Sequence, residues 1–92
     1  MAQVRLPTVL RPSAGGNSSL EVDGESIREV LEAISLKYPQ FGSQVLTGDG
    51  ELHKFVNVYL NDDDVRYLEK LDTKVGVRDR ISILPAVAGG LS

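Results

Sequence analysis

The sequence predicts an α+β fold in which one main helix packs across one mixed β-sheet, with a flexible C-terminal tail. Three observations carry this. Short segments near both ends of the chain alternate apolar and polar residues with the period of half-buried strands. A single stretch between them repeats apolar residues at helical spacing. After Pro85 the residues are almost all small. At 92 residues, with 41% hydrophobic and 25% charged side chains, the chain has the size and composition of one modest globular domain.

The first strand is expected over residues 3–10, where Val4 and Leu6 alternate with Gln3 and Arg5 and the pattern runs on into Val9 and Leu10. Pro7 cannot donate to a ladder and must face solvent or a bulge. The turn-rich stretch from Arg11 to Ser18 contains Gly15-Gly16, read as a hairpin turn because the third glycine and the following helix of a dinucleotide loop are absent. Leu20 and Val22 then mark a partner strand over residues 19–22.

The helix comes next. Ser26 and Glu29 have the spacing of a capping box. Ile27, Val30, Leu31, Ile34 and Tyr38 fall on one stripe, and Pro39 ends the helix because the residue before a proline is pushed out of the helical region. Residues 41–51, with three glycines and an aspartate, read as a loop anchored by Val45 and Leu46.

A further strand is expected over residues 53–60, with Val56, Val58 and Leu60 on one face and Phe55, Asn57 and Tyr59 on the other. Phe55 and Tyr59 are equally readable as core or as partner-binding anchors. Asn61-Asp62-Asp63-Asp64 reads as a solvated turn, since the spaced ligand run of an EF-hand is absent. Val65, Tyr67, Leu68 and Leu71 suggest an edge strand or a helical turn. Residues 80–84 form the last strand, with Ile81 and Ile83 inward and Pro85 as its stop. A hairpin, a helix across the sheet, then more strands is the β-grasp, or ubiquitin-like, arrangement. The expected division is a β-grasp domain over 1–85 and a tail over 86–92.

Composition also narrows the function. There is no cysteine, which removes disulfides, thiolate metal sites and cysteine nucleophiles. The single histidine, His53, has no second ligand type around it and reads as a partly exposed strand residue rather than a metal ligand or base. Ten basic residues against thirteen acidic ones, a net charge of -3, argue against nucleic acid or an anionic membrane as the main partner. No secretory leader or apolar run of membrane-spanning length is visible, so a cytoplasmic location is expected.

The tail reads Ala86-Val87-Ala88-Gly89-Gly90-Leu91-Ser92. Extended, it would carry Gly90 about 17 Å beyond Pro85. Only Val87 among residues 86–90 is more than small, so such a thread can enter a narrow tunnel. On Gly-Gly alone a frayed terminus is the better reading. In context, Asp79-Arg80-Ile81-Ser82-Ile83-Leu84-Pro85-Ala86-Val87-Ala88-Gly89-Gly90 resembles the closing signature of the MoaD/ThiS sulfur-carrier family. Pro7-Thr8-Val9-Leu10-Arg11-Pro12, Phe55-Val56-Asn57-Val58-Tyr59 and Asn61-Asp62-Asp63-Asp64-Val65-Arg66 extend the resemblance along the chain, toward the CysO-type branch of cysteine biosynthesis.

The resemblance implies a carrier rather than an enzyme. It places adenylation and the thiocarboxylate at Gly90, and makes Ala86, Val87, Ala88 and Gly89 the thread that enters partner active sites. An adenylating, sulfurtransferring enzyme activates the glycine carboxylate with ATP, and sulfide or a persulfide displaces AMP. A pyridoxal-phosphate-dependent cysteine synthase presents an aminoacrylate to the sulfur. After an S-to-N acyl shift, a zinc metallopeptidase of the JAMM type frees the product. ATP, pyridoxal phosphate and zinc belong to those partners, and none is expected on this chain.

Two departures from the family pattern stand out. Leu91-Ser92 follows Gly90, so a peptidase is expected to cut between Gly90 and Leu91; the alternative is that the two residues are a fusion remnant. The turn before the last strand, often Asp-Gly-Asp in the family, reads Val77-Arg78-Asp79, with Gly76 expected to take the positive-φ position. Competing functions share the tail: a molybdopterin-synthase small subunit, a carrier for thiamine, tRNA or secondary-metabolite thiolation, or a ubiquitin-like modifier joined through Gly90.

Overall fold

The computed structural model describes residues 1–54 and 56–85. These form a five-stranded sheet in the order β2-β1-β5-β3-β4, from β1 (Ala2–Arg5), β2 (Ser19–Val22), β3 (Val56–Leu60), β4 (Asp63–Asp64) and β5 (Arg80–Pro85). β1 pairs β2 antiparallel and β5 parallel, while β3 lies antiparallel to both β5 and β4. The first and last strands thus lie side by side in the middle, as the β-grasp arrangement requires. No helix among the described residues is long and apolar enough to cross a membrane.

Helix α1 (Ile27–Lys37) crosses one face of the sheet and buries Ile27, Val30, Leu31 and Ile34, the stripe read from the sequence. Its N-terminus is held by Ser26 Oγ, which accepts from Glu29 N–H at 3.2 Å. The other half of the expected capping box differs: Glu29 Oε1 accepts from Glu25 N–H at 3.3 Å, one residue earlier than Ser26. Opposite the helix lie Val4 of β1, Val56 and Val58 of β3, and Ile81 and Ile83 of β5, all buried in the same core. Each pair of strand positions two apart puts both side chains on the helix side.

Several further sequence expectations are corrected. The first strand stops at Arg5; Pro7 opens a 3-10 turn over Thr8–Leu10, because Leu10 reaches the core only if the chain bends. Val9 is left outside at 65% exposure. Residues 41–51 are not all loop. Helix α2 (Pro39–Val45) begins on Pro39 itself and buries Phe41 and Val45, one turn apart. Proline suits the first helical position, where its N–H would go unused. Gly42 weakens the helical signal but is needed there, since a Cβ would stand 2.5 Å from Ser35 Oγ on α1.

Others concern the turn into β5 and the start of β3. Gly76 does not take a positive φ; among the described glycines that conformation belongs to Gly15, Gly16 and Gly50. The turn into β5 is closed instead by Asp79, whose carboxylate accepts from Gly76 N–H at 2.7 Å while its own N–H donates to Gly76 O at 3.1 Å. No left-handed residue is required. His53 lies before β3 rather than in it, half-buried, with its backbone N–H donating to Val45 O at 2.8 Å. The region of Val65 to Leu71 resolves into two 3-10 turns that bury Val65 and Leu71 and leave Tyr67 and Leu68 exposed.

Candidate functional site

The site is defined by where β5 takes the chain. β1 and β5 run parallel from Gln3↔Arg80 to Arg5↔Ser82, and there β1 ends. β5 continues for three residues with β3 as its only neighbour among the described residues, the last pair being Val56↔Pro85. On the other side the chain has turned away at Pro7, and the space left open is a groove of about 570 Å³ between Pro7-Thr8-Val9 and Ile83-Leu84-Pro85.

Two exposed apolar side chains flank that exit, Val9 at 65% and Leu84 at 46% exposure. Arg5 and Arg11 line the same groove, and Arg11 Nε donates to Leu6 O at 3.3 Å. Across β5, Asn57 and Tyr59 point to the face away from the helix, paired with Leu84 and Ser82. Arg66 closes that side: Nη1 donates to Asn57 Oδ1 at 2.6 Å and Nη2 to Val56 O at 2.8 Å. The guanidinium ties the turn after β4 to the start of β3, beside the last pair of β5. Charge-assisted bonds of this kind are among the stronger ones.

Of the residues named from the sequence, Tyr59 lies half-buried on the open face, and Phe55 lies outside the described residues. Ala86, Val87, Ala88, Gly89, Gly90 and Leu91 also lie outside them. Asp62 and Asp63 are exposed, and Asp64 uses its carboxylate to cap the following turn through Arg66 N–H at 2.9 Å. Among the described residues no group of His, Asp or Glu is placed to hold a metal, and no buried side-chain nitrogen or oxygen lacks a partner. What the site offers is a surface and an exit.

Sequence reasoning missed Val9, Leu84 and Arg66. Val9 is hidden because the strand-like alternation runs on through it to Leu10. Leu84 was legible in principle, since it alternates with the inward Ile81 and Ile83. Arg66 carried no local signal, because its partners are nine and ten residues earlier in the chain.

Comparison with known proteins shows the family. Residues 4–90 match the ThiS family. The sulfur carrier protein CysO of Mycobacterium tuberculosis is 39% identical over 89 residues, covering 95% of this chain and 96% of that protein. Its crystal structure superposes with a TM-score of 0.88 at 36% identity, over 95% of this chain and all of that one. The crystal structure of the Amycolatopsis orientalis BexX/CysO complex contains a chain that matches with a TM-score of 0.89 at 37% identity, over 98% of this chain and 100% of that one.

Proposed function

The chain belongs to the ThiS family, whose members of this type are small ubiquitin-like carriers rather than enzymes, and from that premise we propose that it carries sulfur as a thiocarboxylate on Gly90. Residues 1–85 are the handle and the tail from Ala86 to Gly90 is the thread. The carboxylate of Gly90 is released when a peptidase cuts the Gly90–Leu91 bond. A carboxylate is a poor electrophile, so it is first adenylated by a partner enzyme with ATP, with loss of pyrophosphate. Sulfide sulfur then attacks the acyl carbon, AMP leaves, and the glycine holds a C–S bond in place of C–O.

The sulfur goes next to an acceptor held by a pyridoxal-phosphate-dependent cysteine synthase, and a zinc metallopeptidase of the JAMM type releases the amino acid. ATP, pyridoxal phosphate and zinc act within those partners. This chain supplies a reactive end and a surface by which each partner grips it. Val9, Leu84 and Tyr59, around the exit of β5, are that surface. Apolar and aromatic side chains with a polar rim are the usual anchors of such contacts.

The observation that supports this reading best is the end of β5, where Ile83, Leu84 and Pro85 run past β1, pair with β3 and line an open groove. Intact-mass spectrometry tests it. Incubation with the peptidase should remove Leu91-Ser92, and further incubation with the adenylating enzyme, ATP and sulfide should exchange one oxygen for sulfur. A processed chain that never makes the exchange overturns the carrier reading. Sulfur-loaded protein that yields cysteine with the synthase supports the cysteine branch; loaded protein that is inert with it moves the acceptor elsewhere.

A further inference from the structure

The two edges of the sheet are unlike. β4 ends one side with only two residues, both aspartate, which is a short and charged edge of the kind that discourages further pairing. β2 ends the other side with four residues, Ser19–Val22, and nothing described covers it. Leu6 N–H donates to Ser18 O at 2.9 Å, and the register Val4↔Leu20 and Ala2↔Val22 continues that alternation. The backbone groups of Leu20 and Val22 therefore face β1, and those of Ser19 and Glu21 face the free edge.

Beside this edge lies a groove of about 200 Å³ between β2 and α1, walled by Leu20, Val22, Ala33, Ile34 and Tyr38, with Glu21, Asp23 and Lys37 also on its lining. Leu20, Val22 and Tyr38 are half-buried, packed on the core yet reachable. The side chain of Glu21 points to the opposite face from Leu20 and Val22, and Asp23 follows it. Both are exposed, and the described residues give neither an ion-pair partner.

We propose that β2 accepts an extra strand from a partner protein: an extended segment that places an aliphatic side chain in the β2–α1 groove and basic side chains beside Glu21 and Asp23. The free N–H and C=O groups of Ser19 and Glu21 supply the main-chain bonds and the groove supplies the side-chain selection, the division of labour of strand addition. Alternation in the added strand puts its basic residues on the carboxylate side whenever its aliphatic one enters the groove. A second copy of this chain is the poorer occupant, since pairing β2 with itself would line up Glu21 and Asp23 from both copies. The site lies at the far edge from β4, two strands away from β5, and does not depend on the sulfur-carrier reading.

A capped heptapeptide alternating lysine and valine is the probe, titrated into the isotope-labelled full chain and followed by backbone amide spectra. Saturable shifts should concentrate in Ser19–Val22 and the second half of α1, with slowed exchange of the Ser19 and Glu21 amides. Ser19→Pro removes an outward N–H without touching the β1 ladder and should weaken binding about fivefold, the worth of one hydrogen bond. Glu21→Lys should weaken the lysine peptide by about twofold to fivefold and favour a matching glutamate–valine peptide instead. Each variant is compared only where its amide spectrum shows the native fold, and Glu21, being exposed, supplies the variant least able to disturb it. Shifts that fall mainly elsewhere, no saturation, equal response to both peptides, or concentration-dependent self-association at β2 in place of peptide binding would each overturn the proposal.

Discussion

The two faces of β5 teach different lessons. Ile81 and Ile83 point toward α1 and are fully buried, among the core of Val4, Val58, Leu31 and Phe41. Ser82 and Leu84, one position away each time, point to the open face, and Leu84 keeps 46% of its surface. One strand of six residues therefore holds the fold together on one side and leaves the other open, the side that the proposed function gives to partners. Stability belongs to the helix side; the proposed function assigns transfer to the open face and the residues after Pro85.

The sharpest way to break that division is at the end of the chain. Deleting Gly89-Gly90 should reduce sulfur loading to background, read by intact mass, and leave the melting temperature unchanged; a large loss of thermal stability would join the two regions that the division separates. The opposite change is Phe41→Ala. Truncating a buried phenylalanine costs about 3–5 kcal/mol, mostly cavity and lost transfer energy. In a domain of this size that lowers the melting temperature by about 12 °C or more, while sulfur loading of the still-folded fraction in the cold stays intact.

A smaller effect is expected from Leu84→Asp. It should weaken the carrier's apparent affinity for the adenylating enzyme by roughly tenfold, a loss of about 1.4 kcal/mol, with no measurable change in thermal denaturation. A matched fall in stability would mean Leu84 belongs to the core. Ser26→Ala is the smallest. Losing the acceptor for Glu29 N–H should cost about 1 kcal/mol, visible as a shift in denaturant midpoint and invisible in loading kinetics.

Much of this was legible along the chain. Val4, Leu20, Val22, Val56, Val58, Ile81 and Ile83 follow period two, and Ile27, Val30, Leu31 and Ile34 follow the helical period, so both the elements and their inward faces could be read from neighbours a few residues apart. The errors occurred where local signals conflict with a distant demand. Proline and glycine around Phe41 suggest a loop, and only the packing of α2 on α1 explains why Gly42 sits in a helix. Pro7-Thr8-Val9-Leu10 alternates well enough to be a strand, but Leu10 and Ala14 must reach the core, and the chain folds into 3-10 turns to bring them there.

The sequence by itself determined the fold class, the helix with its cap, the inward positions of β5 and the family whose signature closes at Gly90. Periodicity and capping are consequences of backbone geometry, which repeats over a few residues and so leaves its mark locally. The tertiary structure decided the rest: that β1 stops short of β5 and opens a groove beside Pro85, that Arg66 reaches back to Asn57 and Val56, and that β2 keeps a free edge next to α1. Each is a relation between segments far apart in the chain, set by which surfaces must be buried together, and no window of neighbouring residues contains it.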